Sequence, residues 1–351
     1  MSKFLSERIT TLEAYVPGEQ PTDMEYIKLN TNESPYPPAP GVAAAIDSGA
    51  LAKLNLYPDP DGKRLIAKLS ETYGVKPENI ILGNGSDELL AFSFYAFCDV
   101  VGGVVFPDVT YGLYPVLAEL YGIPYRPIPL KSDFTVDPGN YLNSGKNVIL
   151  ANPNAITGIA LSLDDIETIA QSNSRRVVLI DEAYVDFGAE SAIPLTKKYD
   201  NLLVTQTFSK SRSMAGARLA YAIGPEPLIE DLNRIKFSFN PYNVNRLSQL
   251  AGEAALNDEA YYTEMHRSII ETRGYTQELL KGLGFTTTNS SANFLFAKHR
   301  EKGGHELYKA LKEKRILVRH FNIPRIEDYL RITIGTKQQM DALIAALKTI
   351  L

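Results

Sequence analysis

Six short apolar runs, each broken off by a polar or glycine-rich turn, constrain this chain more than any other feature. They are NIIL before GNGSDE, GGVVF before PDVTY, NVILA before NPNAITG, RVVLI before DEAY, NLLVTQTF before SK, and RLAYAIG. Helical patterns separate several of them, as in SLDDIETIAQ, where Ser162 and Asp165 have the spacing of a capping box. Continuous Val/Ile/Leu runs describe strands buried on both faces. Alternation with helices makes this an α/β fold with a mainly parallel sheet flanked by helices. In such sheets ligands bind beyond the carboxyl ends of the strands, so the turns that follow the runs should converge on one site.

The last third changes character. YYTEMHRSIIETRGYTQELLKGLG reads as a long helix, followed by strand candidates ANFLFAK, ILVRHF and YLRITIG and a closing helix KQQMDALIAALKTI. With 351 residues the chain is longer than most single cores. We expect a large cofactor-binding domain over 30–255 and a smaller α+β domain over 256–351, joined in space by an N-terminal arm, 1–29. A net charge of -5 and the lack of a long Lys/Arg run argue against a nucleic-acid partner. The single cysteine, Cys98, allows no intrachain disulfide. The four scattered histidines lack metal-ligand spacing. No apolar run reaches 18 residues, so we expect no membrane partner and a cytoplasmic location.

Three turns carry candidate chemistry. Lys210 follows NLLVTQTF, just past a buried strand, where an ammonium is costly unless it is paired, modified or able to reach water. Read alone, it is an ordinary surface lysine at a loop edge, since lysines are mostly exposed. Asp181 of DEAY ends another buried run and needs a cation or several donors. A protonated ring nitrogen would satisfy it, and so would a role as a cap. The interval between Asp181 and Lys210 suits one strand-helix-strand crossover, so both can face one pocket. GNGSDE places Ser86 at an expected helix N-cap, with free N–H groups suited to a phosphate. It lacks the third glycine of a dinucleotide turn, and a plain capped turn explains it as well. A carboxylate for a pyridinium, a lysine for a Schiff base and a phosphate cradle are together the parts that pyridoxal 5'-phosphate requires.

Nearly the whole chain resembles the fold-type I aminotransferases, and within them the histidinol-phosphate aminotransferase family. The resemblance rests on YVPGEQP (15–21), KLNTNESPYPP (28–38), YPDPDG (57–62), GNGSDE (83–88), TYGLY (110–114), NPNAITG (152–158), DEAY (181–184), TFSK (207–210), AGARLAYAIG (215–224), PYNVNRLSQ (241–249) and YLRITIG (329–335). It implies that Lys210 is the Schiff-base lysine and Asp181 the partner of the pyridine nitrogen. It also implies that Tyr184 and Asn154 bond the cofactor's phenolic oxygen and that Tyr111 stacks on its ring. Ser86, Asp87, Thr207, Ser209 and Arg218 would hold the phosphate, with Tyr57 reaching it from the partner subunit of a homodimer. Arg331 would bind the substrate's anionic group, helped by Tyr15, Asn32, Tyr242 and Arg319. The implied substrates are histidinol phosphate with 2-oxoglutarate, or imidazole-acetol phosphate with glutamate. An aromatic aminotransferase and a threonine-phosphate decarboxylase share the cofactor motifs. A cofactor-binding regulatory module is opposed by the absence of a helix-turn-helix extension. The sequence departs from the family's usual N-N-P-T-G or N-A-P-T-G turn in NPNAITG, which has Ala155 and Ile156, so that the second asparagine and the proline are both missing, leaving Asn154 as the candidate for the oxygen contact.

Overall fold

The computed structural model describes residues 2–351. Twelve strands occur among them. They are β1 (Ile27–Leu29), β2 (Ile80–Gly83), β3 (Val104–Pro107), β4 (Tyr125–Ile128), β5 (Asn147–Ala151), β6 (Val178–Asp181), β7 (Leu202–Thr207), β8 (Ala220–Ile223), β9 (Phe285–Thr287), β10 (Phe294–His299), β11 (Ile316–His320) and β12 (Tyr329–Thr333). Seven form one sheet in the order β2-β8-β7-β6-β5-β3-β4. All neighbours are parallel except β8, which runs antiparallel to both β2 and β7.

Each of the six apolar runs forms one of these strands, and every residue of β2, β3, β5, β6, β7 and β8 is buried. Helices on both faces provide that burial, which is why the runs do not alternate with polar residues. The seventh strand, β4, was not visible as a run. Its segment YRPI has an exposed middle and lies at the sheet edge, the position in which Pro127 is tolerated. Ser162 does cap the helix Leu163–Ser172, accepting from the Asp165 backbone N–H at 3.1 Å.

The remaining strands form a second sheet, β1-β11-β12-β10-β9, antiparallel apart from the β1/β11 pair. The long helix spans Glu259–Gly282 and the closing helix Lys337–Ile350. β1 comes from the N-terminal segment yet pairs with β11, Ile27 opposite Ile316. The chain therefore leaves the five-stranded sheet at Leu29 and carries residues 30–32 directly across the space between the two sheets. No helix among the described residues is long and apolar enough to cross a membrane.

Candidate active site

A cavity of about 800 Å³ opens beyond the carboxyl ends of the parallel strands and is closed on its other side by the five-stranded sheet and the N-terminal segment. Strand register explains why Asp181 and Lys210 meet there. Asp181 ends β6 beside Ala151 of β5 and Thr205 of β7, and Lys210 follows three residues after β7 ends.

The Asp181 carboxylate is buried, accepting from the Tyr114 hydroxyl at 3.0 Å and from the Ala183 N–H at 3.3 Å. Burial raises its pKa to about 6, against the lowering effect of the Tyr114 bond. Lys210 donates to the Thr31 carbonyl at 2.9 Å. Burial, and next the Arg331 charge, lower its pKa to about 8. Arg331 donates to the carbonyls of Ala155 at 2.9 Å and Asn30 at 3.3 Å, while its buried Nε has no partner. Arg319 donates to the carbonyls of Pro17 and Val16 at 3.2 and 3.1 Å. Three cations thus face one cavity, and their hydrogen bonds go to neutral main-chain carbonyls. A buried charge without a counterion is expensive, so an anion is the ligand this wall lacks.

At the opposite corner, the helix Ser86–Phe97 points its uncapped first turn at the cavity. Gly85 precedes it with φ 80°, a left-handed value natural to glycine, and a Cβ there would run into the Arg218 guanidinium. Arg218 donates to Asp87 at 3.1 Å, and the Tyr111 hydroxyl donates to the other Asp87 oxygen at 2.8 Å. Thr207 and Ser209 line the same corner, their hydroxyls 3.0 Å apart. Row register sets this corner, since Gly83, Ala220 and Thr207 are neighbours across β2, β8 and β7.

The description Aminotransferase class I and II matches residues 24–347. The chain belongs to the class I and II aminotransferases. It is 49% identical over its full length to the histidinol-phosphate aminotransferase of Brachyspira hyodysenteriae, of which it covers 99%. It is 48% identical to histidinol-phosphate aminotransferase 1 of Bradyrhizobium diazoefficiens, with 100% of both chains covered. Its fold is similar to the crystal structure of histidinol-phosphate aminotransferase from Sinorhizobium meliloti in complex with pyridoxal-5'-phosphate, with a TM-score of 0.90, 24% identity and coverage of 100% of this chain and 98% of that one.

This aminotransferase is an enzyme that works with pyridoxal 5'-phosphate on small-molecule substrates, and its cavity fits that cofactor. Asp181 is a buried carboxylate without a cation, Lys210 a half-buried lysine without a carboxylate partner, and the uncapped helix start beside Arg218 an anion site.

The structure gathers Tyr15, Asn32, Ser86, Asp87, Tyr111, Asp181, Tyr184, Thr207, Ser209, Lys210, Arg218, Arg319 and Arg331 around the aminotransferase cavity. It corrects four of the expectations. Ser86 is the first helical residue rather than the N-cap, which is Gly85, so its hydroxyl does not cap the helix. Asn154 is turned away from the cavity, its amide donating to the Val109 carbonyl and its oxygen accepting from the N–H groups of Ile156 and Thr157. It is therefore committed to holding its own turn. Asn32 is buried and donates to the Tyr184 hydroxyl at 3.0 Å rather than standing free for a substrate. Tyr242 lies outside this chain's cavity, stacked on Tyr57 with ring centroids 4.4 Å apart, a position of Tyr57 that does not contradict the expectation that it serves a partner subunit.

Two contributors were missed from the sequence. Tyr114 holds Asp181, and the second tyrosine of TYGLY was its available signal, one helical turn beyond Tyr111. The Thr31 carbonyl that receives Lys210 had no signal, because a main-chain acceptor leaves no trace in residue type.

Proposed function

We propose that this enzyme transfers an amino group between histidinol phosphate and 2-oxoglutarate, giving imidazole-acetol phosphate and glutamate, as a cytoplasmic homodimer. The observation that carries the reading is the cavity that unites Lys210, Asp181 and Arg331, two cations and one carboxylate without an ion-pair partner among them. Relatives of this name at 48 and 49% identity over the full chain support the substrate. In this reading residues 30–255 form the cofactor-holding body, and 256–351 with the N-terminal arm 1–29 form the smaller, substrate-facing part.

Bound in this cavity, the cofactor supplies an electron sink for the carbanion formed at the substrate's amino-bearing carbon. Asp181 would pair with the ring nitrogen and keep its proton in place, and the Tyr114 bond holds the carboxylate in one orientation. Lys210 would take a proton from the substrate's amino-bearing carbon and deliver it to the cofactor carbon bonded to the same nitrogen. Its lowered pKa, about 8, suits an amine that must be neutral to act as a base. Tyr111, steadied by its bond to Asp87, would stack on the cofactor's ring. The helix start at Ser86, with Thr207, Ser209 and Arg218, takes the cofactor phosphate. Arg331 and Arg319 exchange their carbonyl partners for the substrate's carboxylate or phosphate.

Tyr57 completes the site from the partner subunit. It is 76% exposed, and Leu51, Leu54, Leu56, Phe237 and Phe239 are also exposed apolar side chains that a second copy could cover. The irregular segment around Pro58 leaves Tyr57 at the surface, stacked on Tyr242.

One part of the cavity favours a second activity toward aromatic amino acids. Val109, Ile156, Phe321, Ile323 and Ile326 form an apolar wall on which a flat side chain can lie. The test is to mix cofactor-loaded enzyme with histidinol phosphate, phenylalanine or threonine phosphate, separately and without an acceptor. Bleaching of the cofactor's visible absorbance by histidinol phosphate, with pyridoxamine phosphate formed, supports the proposal. Release of carbon dioxide from threonine phosphate, or a response to phenylalanine alone, overturns it.

A further inference from the structure

Residues 30–32 tie one functional side chain each. The Asn30 carbonyl receives Arg331, the Thr31 carbonyl receives Lys210, and the Asn32 amide donates to Tyr184. The last of these contacts has a second layer. The Asn32 N–H donates to Thr333 Oγ1 at 2.9 Å, and Thr333 Oγ1 donates in turn to Asn32 Oδ1 at 3.1 Å. A threonine hydroxyl has one proton. With the backbone N–H already pointing at its oxygen, that proton goes to the Asn32 side-chain carbonyl.

The amide is thereby oriented. Its oxygen faces Thr333, so its NH₂ faces Tyr184, and the Tyr184 oxygen accepts at 3.0 Å. A phenol that accepts from the amide keeps its own proton free for another acceptor, and Tyr184 lines the cavity. Burial pushes its pKa above the ordinary phenol range, so the proton is present at neutral pH. Asn32 has φ 54°, a left-handed conformation that asparagine tolerates, and Asn293 Nδ2 donates to its carbonyl at 3.0 Å. Asn32, Thr333 and Asn293 are all buried, so water does not compete for these bonds. The side chains of Asn154, Ala155 and Ile156 in the neighbouring turn supply no donor here, since the Asn154 amide is spent on the Val109 carbonyl and Ala155 and Ile156 are apolar.

We propose that Thr333, acting through Asn32, aims the Tyr184 hydroxyl proton into the cavity, so that Tyr184 meets the cofactor's ring oxygen as a donor. Thr333 is then a positioning residue, two positions along β12 from Arg331 and on the same face of the strand. The inference rests on the reading that the ring oxygen lies at Tyr184.

The test is a spectroscopic titration of cofactor-loaded protein. A donor stabilises the anionic ring oxygen, so losing it moves upward the pH at which the bound cofactor's visible absorbance changes. Tyr184→Phe should raise that midpoint by about 1–2 units, the scale of one hydrogen bond to a charged group. Thr333→Val, close in shape but unable to accept or donate, should raise it by at least about half a unit. Thr333→Ser, which keeps the hydroxyl, should leave it at the parent value. Thr333→Ala is read in the same way as valine should the latter fail to fold. If Tyr184→Phe shifts the midpoint and neither Thr333→Val nor Thr333→Ala does, the positioning role is wrong while the site reading stands. If Tyr184→Phe itself produces no shift, the placement of the ring oxygen falls and the inference falls with it.

Discussion

The two walls of the cavity handle charge in opposite ways. On the wall made by strand ends of the seven-stranded sheet, each carboxylate is held by side chains, Asp181 by Tyr114 and Asp87 by Tyr111 and Arg218. On the other wall, Arg331 and Arg319 rest on main-chain carbonyls, and Lys210 reaches across to do the same. Side-chain partners fix a charged group in one orientation. Carbonyl partners satisfy the hydrogen bonds of a cation but leave its charge uncompensated, so an arriving anion can replace them with a net gain. The first wall is built to hold a permanent group and the second to exchange a transient one.

The largest test of this contrast removes the residue that links the walls. Lys210→Ala should lower turnover by about 10²–10⁴-fold or more, the range that general acid-base catalysis supplies, with the fold retained by circular dichroism. Turnover near the parent value would remove Lys210 from the chemistry. On the strand-end wall, Asp181→Asn should keep cofactor but lose roughly 10²–10³ in kcat, as when one preorganised electrostatic contact is deleted. A variant with unchanged kcat would reduce Asp181 to a structural acceptor for Tyr114.

The cofactor-free protein offers a pH test. Lys210 falls from 10.5 in the unfolded chain to about 8 when buried. The unfolded chain therefore binds the extra proton between about pH 8 and 10.5, and the contribution of Lys210 to stability improves as pH rises through that window. Below pH 8 the penalty is constant, on the order of 3 kcal/mol. Denaturant midpoints of parent and Lys210→Ala proteins should converge as pH rises from 8 to 10.5. Parallel curves would show that Lys210 keeps its ordinary pKa in the folded chain.

The exchange wall is probed by Arg331→Lys, which replaces a planar fork with a point charge. It should cost about 1.5–3 kcal/mol in kcat/KM for both histidinol phosphate and glutamate, with cofactor affinity unaltered. Weakened cofactor binding in its place would merge the two walls into one. The smallest effect belongs to Tyr57→Phe, expected to loosen the cofactor by about 1–2 kcal/mol. A Lys210→Ala subunit, which carries Tyr57, should restore tight binding at the Lys210-containing site of a mixed dimer. Unrestored affinity in that mixture would place Tyr57 outside the partner's site.

The two walls also differed in how far they could be read from sequence. Asp181 and Lys210 announced themselves because each interrupts a buried apolar run with a charge, and a charge in that place demands a chemical reason. On the second wall, residue types were visible but their commitments were not. Asn32 belongs to an N-terminal segment and Thr333 to the end of β12, 301 residues apart, so nothing local hinted that each completes the other. Asn154 misled for the opposite reason. Its turn is short enough that the amide satisfies two N–H groups of its own backbone, a local use that outcompetes the cavity. Ser86 was displaced by a single residue because Gly85, with its left-handed backbone, takes the N-cap position.

The reversed strand β8 has a consequence for how the site comes into being. β5, β6 and β7 each pair with the strand that follows them along the chain, so that part of the sheet can assemble from successive crossovers. β2 has only β8 as a partner, and Asp87 and Arg218 meet across 131 residues. Closing so long a loop is entropically costlier and slower than adding a neighbouring strand. A polypeptide that ends before Ala220 carries Lys210 and Asp181 but gives β2 nothing to pair with. During refolding, the buried centre of the sheet should therefore form before Asp87 and Arg218 are brought together, and a chain stalled between the two stages would present β8 and β2 as unpaired edges prone to self-association.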